Sequence, residues 1–231
     1  MASQVLQSRS FRYLVIGALI FLTAGIAANA RDFSALQAEV WVDLEPMGST
    51  GPNPDLSRPD AIHALIEEAR VIFSGMIYGF NFEYRPADIA RKSEEKFSLT
   101  PISMIPWGDP GFEYRETRSD TSSIYIRVRY LTKPAEMSRL EAWVSADLQD
   151  AAGTGFASYY EGTPARLKSI TDSCKAAVRN CVRGMTHNKP SEIQGRLIFS
   201  DVPQIGVFSG KFRTETRVRL DIRDIQAYRT Y

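Results

Sequence analysis

GKFRTETRVRLDIR, residues 210–223, is the clearest strand in the chain. Phe212, Thr214, Thr216, Val218, Leu220 and Ile222 take one parity, and Arg213, Glu215, Arg217, Arg219, Asp221 and Arg223 take the other. Successive side chains of a strand point to opposite faces, so this spacing predicts one face on a core and one charged face. Residues 124–131 repeat the pattern, with Ile124, Ile126, Val128 and Tyr130 on one side and Tyr125, Arg127 and Arg129 on the other. They read as the second arm of a hairpin whose first arm is residues 112–117 and whose turn is Ser119-Asp120-Thr121. Phe80, Phe82 and Tyr84 alternate with Asn81 and Glu83 until Pro86 stops them, and residues 38–44 (AEVWVDL) and the pair Leu197, Phe199 add further strand signals.

Two segments change the period to that of a helix. Ser57 is an N-cap candidate, Pro59 suits a first turn, and Ile62, Leu65, Ile66, Ala69, Ile72, Phe73 and Met76 form an apolar stripe that Gly75 or Gly79 ends. Pro164 opens the second helix, whose stripe is Leu167, Ile170, Cys174, Ala177, Val178 and Cys181, with Gly184 as its C-cap. Runs of strands beside long helices give an α+β class, with one long helix per half packed on mainly antiparallel sheets. Residues 87–111 carry no clean period and read as a long, partly ordered excursion. The loop 46–54 is forced by its prolines and glycines.

Glu39-Val40-Trp41-Val42 is echoed by Glu141-Ala142-Trp143-Val144, and each copy is followed by a loop and a helix start. The echo suggests a tandem strand-loop-helix-strands unit, with halves at residues 31–134 and 135–231.

Residues 1–30 carry an export signal. Arg9 and Arg12 charge a segment without Asp or Glu, an apolar run follows over residues 13–28, and Ala28-Asn29-Ala30 suits a cut between Ala30 and Arg31. An uncleaved anchor is the alternative, although the run is shorter than the roughly 20 residues that span a bilayer. The expected address is the periplasm or the exterior, with membrane contact only through an uncleaved signal. Losing Arg9 and Arg12 takes the 28 basic residues to 26 against 27 acidic ones, a balance that offers nothing to nucleic acid.

Export raises the question of a disulfide between the only cysteines, Cys174 and Cys181. Seven residues along a helix separate their Cα atoms by about 10.5 Å, beyond the roughly 7 Å reach of a bridge, so two free thiols are expected.

Catalytic patterns are thin. His63 and His187 have no second ligand at metal spacing, no cofactor fingerprint is present, and Gly153-Thr154-Gly155 reads as a flexible link. Asp109, in Trp107-Gly108-Asp109-Pro110-Gly111, is the one candidate acid because Trp107, Phe112 and Tyr114 surround it, although Asp-Pro-Gly is also good turn chemistry. The mixed-sign cluster at residues 91–96 reads as solvated surface. Arg127, Arg129, Arg217, Arg219 and Arg223 would make a ligand-binding face if their strands were adjacent, since guanidinium forks grip carboxylates and phosphates. Pairing with Glu113, Glu116, Glu215 and Asp221 would instead make an ordinary charged face. The expected function is a non-enzymatic binding or scaffold protein of the cell envelope, meeting an envelope protein or an anionic polymer and using no cofactor. A hydrolase of envelope glycans, working through Asp109, is the alternative.

Overall fold

A computed structural model describes residues 32–44, 56–119, 122–185 and 189–228. The segment read as an export signal, with its expected cut between Ala30 and Arg31, the loop at 46–54 and His187 lie outside the described residues. The described residues from Phe33 onward form one compact unit. Its class is α+β, with antiparallel sheets throughout.

Strand β1 (Ala35–Asp43) pairs with β5 (Ser123–Leu131), which pairs with β4 (Phe112–Ser119) in a three-stranded sheet. The second sheet runs β3 (Lys96–Pro101), β2 (Phe80–Arg85), β7 (Glu192–Phe199), β9 (Lys211–Gln226), β6 (Gln149–Ser158), and β8 (Gln204–Phe208) adds to β9 as a hairpin. Period two places the inward residues as the alternation requires. Leu36, Ala38, Val40 and Val42 are buried on β1, Phe80, Phe82 and Tyr84 on β2, and Phe212, Thr214, Thr216, Val218 and Leu220 on β9.

Helix α1 (Arg58–Ile77) starts at the Ser57 N-cap, whose hydroxyl accepts from the Asp60 N–H, and packs against β1, β5 and β7. Phe73 stacks on Phe112 and Tyr130 of the three-stranded sheet. Gly75 does not end the helix: a Cβ there would lie 2.5 Å from both Phe199 and Phe80 of the other sheet, so the helix touches both layers. Gly79 follows the C-cap Tyr78 at φ +75°, a conformation that costs glycine no Cβ clash.

Helix α2 (Pro134–Ser145) corrects the sequence reading. Glu141–Val144 lie on this helix and not on a strand, and the strand that precedes the second long helix is β6, so the tandem repeat is not confirmed. Pro134 supplies a helix start, and Glu136 accepts the Lys133 N–H at 2.8 Å while also receiving the hydroxyls of Tyr78 (2.6 Å) and Tyr130 (3.0 Å). Burial and the bond to Glu136 push the Tyr78 phenol up to about 12. Three donors on the one buried carboxylate of Glu136 seat α2 where a strand was expected.

Helix α3 (Thr163–Met185) packs on β6 and β9. Gly153 and Gly155 are not a flexible link: they lie in β6, where a Cβ would sit 2.1 Å from the Ser173 O and N, respectively. Only glycine lets this strand and helix approach so closely. Gly184 lies within the helix and is not its C-cap. The segment read as a loose excursion is ordered: Asp88 and Ser93 close a turn by paired backbone hydrogen bonds, and β3 completes a hairpin with β2. The six-stranded sheet draws β2 and β3 from one side of residue 134 and β6 to β9 from the other.

Candidate anion-binding groove

Helix α3 covers β6 and β9 with one face and leaves a second stripe toward the opposite end of the sheet. Lys168, Lys175, Arg179 and Arg183 recur on that stripe at spacings of seven, four and four, which an α-helix places on one side. Across from it stands β3, the end strand of its sheet, preceded by Glu95. Glu95 is half-buried and receives the Tyr84 hydroxyl at 2.8 Å, with Arg179 Nη1 at 3.5 Å and Lys175 Nζ at 3.7 Å. Burial and the hydrogen bond to Glu95 raise the Tyr84 pKa, so the phenol stays protonated and donates.

Two clefts meet at Glu95. One, of about 430 Å³, lies between Tyr84 and Pro86 on one side and Arg179, Val182, Arg183 and Lys189 on the other. The second, of about 420 Å³, continues along the helix toward its start, between Phe97 of β3 and Pro164, Leu167, Lys168 and Thr171. Together they make a groove beside α3 in which five cations (Lys168, Lys175, Arg179, Arg183, Lys189) face two carboxylates, Glu95 and Asp172. Lys175 is engaged by Asp172 at 2.8 Å and Lys168 by Glu161. The Arg179 Nε is buried and has no partner among the described residues. Guanidinium forks grip carboxylates and phosphates, and Arg179 and Arg183 both line the first cleft.

The residues singled out from the sequence fall elsewhere. Asp109 is buried and bonded, accepting Lys133 Nζ at 2.6 Å and the Gly111 N–H at 2.9 Å. Burial works to raise its pKa and is outweighed by those two donors, so it stays below the ordinary carboxylate range. A general acid needs the opposite shift, and this carboxylate holds a turn against the start of α2. Of its aromatic neighbours, Trp107 packs on His63 with ring centroids 4.4 Å apart, and Phe112 packs on Tyr130 at 4.9 Å.

The arginine face is not assembled. Arg127 and Arg129 stand on β5 of the three-stranded sheet, whereas Arg217, Arg219 and Arg223 stand on β9 of the other. Arg127 meets Glu39 at 3.2 Å and Arg129 meets Glu113 at 3.6 Å. Arg223 meets Asp221 at 3.3 Å, and Arg213 meets Glu215 at 2.6 Å. Arg219 donates to the carbonyls of Trp143, Val144 and Ala146, closing the C-terminal end of α2 where helix carbonyls lack partners. Arg217 lines a separate polar cleft with Asp201, Gln204 and Glu215.

Cys174 and Cys181 are both free, one buried and one half-buried on α3, and burial pushes the Cys174 thiol up to about 12. Among the described residues no group of three His, Cys, Asp or Glu side chains is placed to hold a metal ion, and no helix is long and apolar enough to cross a membrane.

The groove residues escaped the sequence reading for two reasons. Glu95 sits in a cluster of mixed sign that reads as solvated surface, and the cations of α3 lie off the apolar stripe that marks the helix. The cations at residues 175, 179 and 183 were the available signal.

No solved structure matches the chain. It is similar to an uncharacterized protein of Treponema pallidum (strain Nichols), with 26% identity over 193 residues that cover 83% of this chain and 81% of that protein. A protein-family model matches residues 23–228, a span that takes in every described strand and helix, and the chain therefore belongs to that family.

Proposed function

We propose that the protein is an exported binding protein of the cell envelope that takes an anionic group of its ligand in the groove between α3 and β3. The observation that carries the reading is the convergence of Arg179, Arg183 and Lys189 on one cleft in which Glu95 is the one lining carboxylate, with the Arg179 Nε left without an acceptor among the described residues. Arg127 and Arg129 meet carboxylates of their own sheet and Arg219 meets the carbonyls that end α2, so these three stand apart from this cleft. Arg183 and Lys189 are exposed, and their charges line the mouth of the cleft. The export signal at residues 1–30 supplies the address, and the periplasm or exterior supplies anionic polymers and acidic protein segments as ligands.

The test compares the full-length chain with Arg183→Glu/Lys189→Glu, a variant whose changes lie on exposed side chains and leave the fold intact. Each is crosslinked in native envelope and the adducts recovered. The wild type should yield an adduct with an anionic component, which high salt present before crosslinking prevents, and the variant should lose it. Equal recovery by both would overturn the assignment. So would a wild type that retains nothing but releases sugars from envelope material, which is the behaviour of a glycan hydrolase.

A further inference from the structure

We infer that the ligand is an acidic stretch of a partner polypeptide, bound in extended form as an added strand on the free edge of β3. This rests on the groove being the anion-binding site proposed above, and it names the kind of ligand that fits.

Strand β3 ends its sheet, so among the described residues the backbone groups on the edge away from β2 have no neighbouring strand. Such an edge is a template for another chain, through main-chain hydrogen bonds that any sequence supplies. Natural edges are blunted by a covering element, a bulge or proline, and β3 carries proline only at its last residue, Pro101. Its register with β2 runs without a bulge from Phe80↔Pro101 to Arg85↔Lys96.

The groove follows α3 from Pro164 to Arg183. From Pro164 to Arg183 the helix rises about 28 Å at roughly 1.5 Å per residue, which an extended chain at about 3.3 Å per residue covers with about eight residues. Cationic and apolar groups both line it, with the carboxylates Glu95 and Asp172 among them. Phe97, Leu167 and Val182 offer apolar contact, and Lys168, Arg179 and Arg183 stand between or beside them. An extended peptide presents alternate side chains to opposite sides, so a sequence alternating acidic and apolar residues matches both sets at once. A polyanion without amides or apolar groups, such as polyphosphate, satisfies the cations but neither the strand edge nor the apolar contacts.

The experiment uses the full-length chain and a fluorescent octapeptide alternating Glu and Val, read by anisotropy. Two further peptides carry N-methyl groups at the odd or at the even positions, and inorganic polyphosphate serves as a non-peptide anion. Strand addition requires one N-methyl phase to bind about tenfold or more weakly and the other to bind as the parent, since only one edge of the peptide pairs with β3. It also requires amide exchange at alternate positions between Lys96 and Thr100 to slow by about tenfold when the peptide is present. Arg183→Glu/Lys189→Glu should abolish the binding. Equal effects of the two N-methyl phases, or unchanged exchange along β3, would overturn the inference while leaving the anion groove standing. Binding of polyphosphate without binding of the peptide would do the same. Failure of both probes would remove the groove reading as well.

Discussion

Arg166 and Glu68 are 1% and 3% exposed, and they join α3 to α1 through a pair of hydrogen bonds, Nε to Oε2 at 2.5 Å and Nη2 to Oε1 at 3.0 Å. The guanidinium also lies over the rings of Trp41 and Phe212, at 5.0 and 5.3 Å. A buried charge left without its partner is far more costly than a buried pair is stabilising. Arg166→Met or Glu68→Leu should each lower stability by about 3–5 kcal/mol in urea unfolding, and Glu68→Leu/Arg166→Met should recover most of that loss. Additive losses in the double variant would show that the two residues act separately. Asp109 gives a second test at this scale. Its folded pKa lies below the unfolded value of about 3.9, so the stability it contributes is present above that pH and is lost as pH falls through the folded value. Asp109→Asn should therefore flatten the acid limb of stability against pH, and an unchanged limb would detach Asp109 from the turn. Neither role was legible in the sequence. Glu68 sits within the apolar stripe of Leu65, Ala69 and Ile72, where a search for periodicity passes over a charge. Asp109 was visible as a turn residue, but its partner Lys133 lies 24 positions away.

At the scale of elements, α3 is set by two glycines that look like punctuation. Gly155→Ala would place a Cβ 2.1 Å from Ser173 N and 2.3 Å from Ser169 O, backbone atoms that cannot swing aside. Thermal unfolding should show a loss of about 1–3 kcal/mol or more. Gly184, within the same helix, has open space around its Cβ position, so Gly184→Ala should raise stability by roughly 0.5–1 kcal/mol. Equal stability of the Gly155→Ala protein and the wild type would contradict the close packing of β6 on α3. Elements with an unbroken period were legible from the sequence: α1, α3, β2, β5 and β9 stand where their alternation or stripe placed them. Elements whose identity depends on distant partners were not. Strand β6 is thinned by glycine because a helix lies against it. Helix α2 carries Trp143-Val144, which favours a strand locally, yet the Glu136 network and Arg219 hold it as a helix.

At the scale of the molecule, the six-stranded sheet joins β2 to β7, so a cut after residue 134 would leave the exposed edges of β2 and β7 facing water. Fragments 31–134 and 135–231 should each lack a cooperative unfolding transition, and a fragment that melts cooperatively by itself would restore the idea of independent halves. The α+β class was readable because alternation and helical stripes are local, whereas strand order depends on pairings such as Phe82↔Gly195 that no local period encodes. The groove is a product of the same long-range order. Its cations come from α3 and the segment after it, and its wall comes from β2 and β3, far earlier in the chain.

The groove's capacity for anions is most directly read by the NMR signals of arginine Nε–Hε groups during titration with polyglutamate and with inorganic polyphosphate. The account predicts that at least one of them shifts Arg179 and Arg183 and leaves Arg127 and Arg219 in place, and that Arg183→Glu/Lys189→Glu removes the Arg179 response. Shifts spread equally over all four arginines, or a variant that responds like the wild type, would contradict it.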